Sequence, residues 1–411
     1  MKFELTSSQK IFYTRHWDMN HLLWNNGAIQ IFPQVYSYRQ LNDAFNNLVR
    51  TQDSLLVRFK ETETDAYMTL QDFEYIDYPF VSVSTDEELE AEVIKALNEP
   101  IDLSDRLVNC TIFQTPTTSG IIINSHHIVV DGYSGVVMAE HINNYLKNPD
   151  FEVPASRSYQ EYVEKDQQFK HSKRFAKNQQ FWLEQFAGEP ALSIFGKDTS
   201  SLDFSASEIS CDFPKEFFQK IKDFAEEHSI SLASFFNMVY SVYFNRIYDV
   251  NNFTIGAPVL NRTTQAELNS IGLYMHVLPM IVNITDDSFI ENTRNIENSH
   301  LNLLRYQNFT QHDILELLNN NNKNITTLFD IVADYQEYPK KEDYDITVRY
   351  NETLSTPMEI HFFNMTDKHQ LRIRYRKTVF TEKEMQTMMS CVISIIEDAI
   401  ENPDKKSVPS I

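Results

Sequence analysis

Paired histidines followed by an aspartate and a glycine are the residues of this chain best suited to chemistry. His126 and His127 end an apolar run, Ile121 to Ile123, and Asp131 and Gly132 follow after three further apolar residues. A neutral imidazole can accept a proton or a hydrogen bond near pH 7, because its unperturbed pKa is about 6.5. The pattern therefore indicates acid–base or hydrogen-bonding chemistry at the end of a buried strand.

A strand and a helix must position these residues. The apolar run predicts the strand, and the spacing of later apolar residues predicts a helix over 135–147. Strands that stop at polar residues before a helix commonly present side chains in a cleft. On an extended segment Asn124 and His126 point to one face, and Ser125 and His127 point to the other. If that geometry persists, the two histidines cannot face one ligand, which argues against a zinc site.

The aspartate and the glycine decide between a chemical site and a pair of packed core histidines. A carboxylate near the end of an apolar segment is costly to bury alone, so Asp131 must meet an arginine or lysine, a backbone donor or solvent. Gly132 permits a turn that a residue with a Cβ could resist. Both features favour a chemical site over a pair of packed core histidines.

The bulk composition indicates a folded protein of two domains. The chain has 411 residues, of which 42% are hydrophobic, with 29 Phe and 20 Tyr. A net charge of −22 disfavours non-specific binding to nucleic acid and to anionic membranes. Neither a signal peptide nor a membrane-spanning run is visible. The widely spaced Cys110, Cys211 and Cys391 indicate reduced thiols and a cytoplasmic protein.

The motif His126-His127-x-x-x-Asp131-Gly132 matches the HHxxxDG pattern, and the chain resembles the condensation domains of nonribosomal peptide synthetases. Their superfamily includes chloramphenicol acetyltransferase and other CoA-dependent acyltransferases. Further motifs of the family recur in order, some of them altered. The matching stretches are Ser8-Gln9 with Phe12, Thr51 to Phe59, Ser158 to Tyr162, Phe181-Trp182, Asn261-Arg262 and Ile271-Gly272. Gln52 and Leu56 replace a histidine and an arginine of the second motif, and His276-Val277 replaces an Asn-Thr pair.

The resemblance implies an α/β fold of two chloramphenicol-acetyltransferase-like lobes, each a mixed sheet with helices, arranged as a V around a central tunnel. A polar, charged helical run at 164–178 marks the passage between the lobes. We therefore expect an N-terminal lobe at 1–175, carrying the HHxxxDG motif, and a C-terminal lobe at 176–411.

The resemblance also implies roles for the motif residues. His127 is expected to face the tunnel and to position or deprotonate an amine, while His126 packs inward. Asp131 is expected to pair with Arg262 across the two lobes and so to support the site. The amide of Gly132 and the helix start behind it would favour the oxyanion of a thioester.

Three further residues are candidates for lining the tunnel. Tyr133 and Ser134 follow the motif directly. His276 stands where the family has an amide, and a simply packed histidine is the alternative there.

The implied activity is amide-bond formation between a donor acyl thioester, fatty acyl or aminoacyl, and the amine of an aminoacyl thioester. The acceptor would be carried by a downstream peptidyl carrier protein, and the donor by an acyl or peptidyl carrier protein or by CoA. No cofactor is expected to stay bound, since the substrates travel on 4′-phosphopantetheine. An adjacent adenylation domain is the expected neighbour, and the domain itself is expected to be a monomer.

Two features suggest a starter domain that takes a fatty acyl donor. The chain begins just before the first motif, and polar family residues are missing at Gln52, Leu56 and Val277. Three alternatives remain: an epimerisation domain, a stand-alone CoA-dependent acyltransferase, and a non-catalytic module that docks carriers or partner enzymes.

The C-terminal third gives clear element signals. Met358 to Phe363 and Gln370 to Arg376 predict a pair of strands, and in the second strand three arginines alternate with apolar residues. Such arginines usually form a solvated face. Thr381-x-x-Glu384 predicts a capping box that starts a long helix, as Ser37-x-x-Gln40 does near the N-terminus.

Overall fold

The structure is a computed structural model that describes residues 2–18, 22–61, 66–321, 323–338, 342–365 and 368–406, with the side chains of 14–18 left out. The chain divides into two compact units, each built from three stretches. The first unit comprises Met1–Ser172, Leu260–Met275 and Lys341–Glu352, and the second comprises Lys173–Val259, His276–Lys340 and Thr353–Ile411. The first division lies close to the boundary expected after residue 175. Two later stretches, expected in the C-terminal lobe, belong instead to the first unit.

The strands and helices alternate along most of the chain. The strands are β1 (Lys2–Glu4), β2 (Asn25–Phe32), β3 (Val57–Glu61), β4 (Ala66–Leu70), β5 (Phe80–Ser82), β6 (Val108–Gln114), β7 (Ser119–His126), β8 (Ala206–Phe213), β9 (Asn252–Val259), β10 (His276–Asn283), β11 (Ile331–Tyr338), β12 (Asp345–Tyr350), β13 (Met358–Met365) and β14 (His369–Arg376). The helices are α1 (Ser7–Asp18), α2 (Tyr38–Thr51), α3 (Asp86–Leu97), α4 (Gly132–Lys147), α5 (Tyr159–Lys170), α6 (Lys173–Gln185), α7 (Lys215–Glu227), α8 (Leu232–Tyr248), α9 (Gln265–Leu268), α10 (Phe289–Tyr306), α11 (Gln311–Asn320) and α12 (Glu382–Glu401).

The first unit contains a five-stranded sheet with the order β12-β2-β7-β6-β5. One face of β7 contributes Ile121 and Ile123 to a core that includes residues of α2 and α4. The other face contributes Ile122 to a smaller core against α3. Because both faces are covered, the sequence of β7 is a continuous apolar run rather than an alternating one. A separate three-stranded sheet, β1-β4-β3, belongs to the same unit.

The second unit is built on a six-stranded sheet with the order β10-β9-β11-β13-β14-β8. β11 runs parallel to β13 and β9, whereas β13 with β14 and β14 with β8 are antiparallel. The sheet is therefore mixed, and the strand pair expected at 358–376 is confirmed. Helices cover one face with an aromatic core, in which Phe236 of α8 stacks on Phe362 of β13 with ring centroids 4.0 Å apart.

Both predicted capping boxes are confirmed. The side chain of Ser37 accepts a hydrogen bond from the backbone of Gln40 at the start of α2, and Thr381 does the same for Glu384 at the start of α12. Each satisfies a helix donor that would otherwise lack a partner. Within the described residues, no helix is long and apolar enough to cross a membrane.

The expectation of a solvated arginine face on β14 is wrong for two of its three arginines. Arg374 is 5% exposed and Arg376 is 2% exposed. Arg374 donates to Glu359 at 2.9 Å and to the carbonyl of Thr353 at 3.0 Å. Arg376 donates to carbonyl groups of residues 199–203. The alternation of β14 does not reveal these partners, because they lie on other segments.

Candidate active site

The histidine pair lies at the end of the central strand of the first unit. β7 pairs with β2 and with β6, and all of its residues are buried. The backbone amide of His126 donates to the carbonyl of Leu107, and that of His127 donates to the carbonyl of Trp24, both at 2.8 Å. The backbone of both histidines is thus held by neighbouring segments where the strand ends.

The two histidine side chains have different surroundings. His126 is 0% exposed, and its Nδ1 accepts a hydrogen bond from the amide of Ile128 at 3.1 Å. His127 is half-buried, with its Nδ1 atom in the interior. The ring of His127 stacks on Phe12 of α1, with centroids 5.1 Å apart and planes 27° apart. Of the two imidazoles, only that of His127 has exposure through which a substrate could reach it.

Asp131 caps α4 and is the centre of a buried polar network. Each of its carboxylate oxygens has three donors within 3.0 Å. Oδ1 faces the amide and the hydroxyl of Ser134 and Nη2 of Arg262, and Oδ2 faces Nη1 of Arg262 and the amides of Tyr274 and Met275. Burial alone would raise the pKa of Asp131, but the Arg262 guanidinium and these hydrogen bonds outweigh burial and hold the pKa below its usual value. The carboxylate is therefore a charged structural anchor.

The pairing of Asp131 with Arg262 was expected to join the two lobes, but it lies within the first unit. The two side chains are both 0% exposed and form a bidentate ion pair. Arg262 belongs to the stretch Leu260–Met275, which is grouped with the first unit. The amides of Tyr274 and Met275 bond the same carboxylate, so Asp131 holds both ends of this stretch.

Two residues around Arg262 explain how the stretch holds its shape. Asn261 has a φ of 51°, in the left-handed region. Glycine adopts this region without strain, and asparagine is among the few other residues that do so readily, which accounts for asparagine at the family's glycine position. Glu267 is 0% exposed and pairs with Lys165 at 2.6 Å and with Arg157 at 3.4 Å.

Glu267 also contacts Arg262 directly. Nε of Arg262 donates a hydrogen bond to the backbone carbonyl oxygen of Glu267 at 3.1 Å. Burial alone would raise the pKa of the Glu267 carboxyl. Hydrogen bonds from Lys165 and from the backbone of Thr263 lower this pKa to about 2. The carboxylate is thus charged at neutral pH and ties α9 to α5.

Gln52 has a role that sequence reasoning missed. This residue stands where the family has a histidine, and the substitution suggested a lost polar group. In the structure Gln52 is 4% exposed, donates to the carbonyl of Asn269 at 3.2 Å and accepts from the amide of Ile271 at 3.2 Å. It anchors the same stretch that carries Arg262. The signal in the sequence was that Gln52, like the histidine it replaces, is polar and can form hydrogen bonds.

The expected need for glycine at position 132 is not found. Gly132 does not have a positive φ, and among the described residues a Cβ built there would meet only Sδ of Met275, at 3.9 Å. The backbone conformation thus allows other residues. Gly132 is exposed and begins α4, so its lack of a side chain leaves open space beside the helix N-terminus.

The other candidates lie in different settings. Ser134 is 0% exposed. Its Oγ lies 2.9 Å from Oδ1 of Asp131 and 3.0 Å from the carbonyl oxygen of Gly272, so it links the two. Tyr133 is half-buried, and the guanidinium of Arg262 lies 4.8 Å from its ring centre. His276 belongs to the second unit, is 8% exposed and has its Nδ1 2.6 Å from the carbonyl oxygen of Gln307.

Within the described ranges, no three His, Cys, Asp or Glu side chains converge as metal ligands would. The side chains that the structure brings together behind the motif are those of Asp131, Ser134 and Arg262. His127 precedes Asp131 by four residues and lies against Phe12 instead.

Sequence comparison finds relatives among peptide synthetases. A plipastatin synthase component from Bacillus subtilis (strain 168) is 24% identical over 425 residues, in an alignment that covers 98% of this chain and 16% of that protein. The chain thus spans about a sixth of the length of this relative.

Two solved structures share the fold. The condensation domain from Monacolin K polyketide synthase has a TM-score of 0.88 at 14% identity, covering 99% of both chains. A variant of the starter condensation domain of rhizomide synthetase, in complex with C8-CoA, has a TM-score of 0.87 at 14% identity, covering 99% of this chain and 96% of that chain. The predicted α/β fold of two chloramphenicol-acetyltransferase-like lobes is therefore confirmed.

The family model named "Condensation domain" matches residues 2–408, nearly the whole chain. The chain belongs to the condensation domain family of nonribosomal peptide synthesis, whose members form amide bonds.

Proposed function

We propose that this chain joins a donor acyl thioester to the amine of an aminoacyl thioester carried by a peptidyl carrier protein, with His127 acting on the amine. The observation that carries this proposal is the contrast between the two histidines. His126 is wholly buried and bonded to its own loop, whereas His127 is half-buried and stacked on Phe12. We assign the chemistry to Nε2 of His127, because its Nδ1 lies in the interior.

The proposed reaction needs only the amine, the thioester and His127 to transfer the proton. The amine nitrogen attacks the thioester carbonyl carbon, and a C–N bond forms. The C–S bond breaks, and the sulfur leaves as a thiol. Nε2 of His127 accepts the proton that the amine loses and returns it to the departing sulfur. The same nitrogen also orients the amine by accepting its hydrogen bond before the attack.

The start of α4 suits the charge that develops on the carbonyl oxygen. A helix N-terminus carries a partial positive charge and backbone amides. Asp131 occupies the amide of Ser134 and fixes this end of the helix through Arg262. The space that Gly132 leaves beside the helix start would admit the thioester oxygen.

The family's place in synthetases implies substrates delivered by carrier proteins. We propose that both substrates arrive on phosphopantetheine arms and that an adenylation domain loads the acceptor carrier. Acyl-CoA is the second possible form of the donor. The fatty acyl donor remains a hypothesis. The side chain of Gln52, one of the residues on which it is based, bonds the backbone of Asn269 and Ile271.

Replacing the proposed catalytic imidazole tests the role of His127. We expect His127→Ala to lower the rate of amide formation about 100- to 10,000-fold, the usual contribution of a general base, and to leave the chain folded. His171→Ala removes an exposed histidine of the same unit and is the matched control. Product is measured by mass spectrometry, with an aminoacyl carrier protein as acceptor and acyl-CoA, acyl-carrier and peptidyl-carrier donors in parallel.

The outcomes of this assay separate the alternatives. Rates for His127→Ala equal to those of the control would contradict the proposed role. Exclusive use of a peptidyl donor would remove the fatty acyl hypothesis. Acyl transfer from CoA to a free amine without any carrier would indicate a stand-alone acyltransferase, and carrier binding without product would indicate a docking module.

A second test examines the space at Gly132. Because the nearest described atom to a Cβ there is Sδ of Met275, at 3.9 Å, Gly132→Ala should fold normally, yet we expect it to lower the rate at least tenfold by occupying substrate space. Gly135→Ala lies three residues further along α4, where the described part of the chain places nothing within 4 Å of the added Cβ, and it should keep full activity. Equal activity of the two variants would show that the substrate does not use this space.

A further inference from the structure

Helix α1 makes two contacts with the loop that carries the histidine pair. The first is the stacking of Phe12 on His127. The second comes from Gln9, which lies one turn earlier, is 0% exposed and donates from Nε2 to the carbonyl oxygen of Ile128 at 3.2 Å. Phe12 thus contacts His127 itself, and Gln9 contacts the residue directly after it. Neither Phe12 nor Gln9 belongs to the HHxxxDG motif.

The amide of Gln9 is fixed on both sides. Its Nε2 also donates to the hydroxyl of Tyr159 at 2.6 Å, and its Oε1 accepts from the amide of Thr6 at 3.1 Å. A glutamine with both ends of its amide bonded in the interior has one orientation. Gln9 therefore holds the Ile128 carbonyl at a set distance from α1.

The backbone of Ile128, the residue after His127, is held at both of its polar groups. The amide of Ile128 donates to His126 Nδ1 at 3.1 Å, and its carbonyl accepts from Gln9. The amide of His127 itself donates to Trp24. With the backbone held on both sides, the remaining freedom of His127 lies in its side-chain torsions.

Phe12 limits those torsions. Its ring lies nearly parallel to the imidazole, so rotating the imidazole out of that plane would lose the stacking contact. Phe12 is itself held edge-on against Trp24, with centroids 4.8 Å apart and planes 74° apart. Trp24 thus supports the imidazole through its ring and the His127 backbone through its carbonyl.

We propose that Phe12 and Gln9 are positioning residues for the reaction, Phe12 by setting the plane of the His127 ring and Gln9 by setting the backbone that carries it. This inference rests on the proposed role of His127. Proton transfer requires the acceptor nitrogen within hydrogen-bond reach of the amine, and small displacements of such groups cost large factors in rate. Neither residue touches the substrate or takes part in proton transfer.

The test compares two aromatic-to-leucine changes in adjacent residues of α1. Phe12→Leu keeps an apolar side chain but removes the ring that stacks on His127. Tyr13→Leu is the matched control, because the Tyr13 ring stacks instead on Phe59, with centroids 6.2 Å apart, and its hydroxyl donates to Glu61 at 2.7 Å. We expect Phe12→Leu to lower kcat at least tenfold with little change in KM, and Tyr13→Leu to leave both within twofold. Phe12→Tyr, which keeps the ring, should restore most of kcat.

A second readout does not depend on activity. In the protein labelled at histidine with ¹³C and ¹⁵N, the ring signals of His127 are identified by their loss in His127→Ala. We expect these signals to shift or broaden in Phe12→Leu and in Gln9→Met but to stay in place in Tyr13→Leu. If Gln9→Met does not fold, Phe12→Leu alone decides the comparison.

The outcomes separate this inference from the proposed function. If His127→Ala remains active, the proposed function fails, and the ring signals still report whether Phe12 and Gln9 order the imidazole. If His127→Ala is inactive while Phe12→Leu behaves as Tyr13→Leu does in both readouts, the positioning role is overturned and the catalytic role stands.

Discussion

Each unit contains a buried cluster of charge built on an arginine and a carboxylate, and the two clusters differ in what else they contain. The aspartate cluster of the first unit consists of Asp131, Ser134, Arg262 and the amides of Tyr274 and Met275. The histidine cluster of the second unit consists of four side chains on neighbouring strands, namely Asp334, Glu359, His361 and Arg374. Of the two clusters, the second contains a histidine and the first does not.

In the histidine cluster, His361 lies between two carboxylates. Its Nδ1 is 2.7 Å from Asp334 and its Nε2 is 3.3 Å from Glu359, which also accepts from Arg374 at 2.9 Å. Burial alone would lower the pKa of His361, but the charges of Asp334 and Glu359 raise it to about 9. The pKa of Glu359, which burial alone would raise, falls to about 2 through its hydrogen bond with His361 and the charge of Arg374.

The contrast shows where pH sensitivity resides. The donors to Asp131 are an arginine, a hydroxyl and backbone amides, none of which changes charge near pH 7. The anchor behind the HHxxxDG motif is therefore constant through the range in which an amine and an imidazole must exchange protons. The cluster of the second unit contributes a stability that varies with pH. Variants at Asp131, His361 and Asn261 test this contrast.

The largest effect is expected at Asp131. Asp131→Ala leaves the guanidinium of Arg262 buried without its carboxylate and the amides of Tyr274 and Met275 without their acceptor, so we expect a loss of about 3–5 kcal/mol in the free energy of unfolding. Amide formation should fall with it. Asp150→Ala, which removes an exposed aspartate of the same unit, should cost less than about 0.5 kcal/mol. Urea denaturation of both variants measures the costs, and equal stability would contradict the anchoring role of Asp131.

An intermediate effect is expected at His361 and depends on pH. Because the pKa of His361 is raised from 6.5 to about 9 in the folded chain, its stabilisation is complete below about pH 6.5 and is lost as the pH rises towards 9. His361→Gln should therefore be less stable than the parent at pH 6, by on the order of 1–3 kcal/mol, and nearly equal to it above pH 9. Denaturation between pH 6 and pH 9.5 measures the difference. A difference that does not change with pH would refute the assigned charge of His361.

The smallest effect is expected at Asn261, beside Arg262. Its left-handed conformation suits asparagine and glycine but strains an alanine, so Asn261→Ala should cost about 1 kcal/mol. Asn261→Gly should change the stability by less than about 0.5 kcal/mol. Thermal unfolding of the pair checks the assignment, and a less stable glycine variant would show that the asparagine side chain, not the backbone conformation, is what matters.

The parts of the fold that the sequence predicted are those encoded locally. The apolar run of β7, the capping boxes of α2 and α12 and the strand pair β13–β14 depend on residues close together in the chain. The pairing of Asp131 with Arg262 was inferred from the family resemblance, since the two residues are 131 positions apart.

The rest depends on distant partners. That the stretch around Arg262 belongs to the first unit follows from contacts with Gln52, Asp131 and Lys165, which no local pattern shows. Arg374 and Arg376 were expected in solvent from the alternation along β14. That expectation was wrong because their partners lie on other segments of the chain. Glycine at position 132 was attributed to backbone freedom, but its φ is not positive and a Cβ would fit.

The assembly of each unit from three separate stretches has a consequence for biosynthesis. Strand β12 pairs with β2 at the edge of the five-stranded sheet, and Arg262 neutralises Asp131, yet both arrive long after the rest of the first unit has left the ribosome. During translation the nascent first unit must wait, with an uncompensated carboxylate and an open sheet edge, while strands β8 to β11 of the second unit emerge. A gene fragment ending at residue 172 would encode the same unfinished state permanently, so the HHxxxDG half is not expected to be obtainable as a contiguous, well-folded piece.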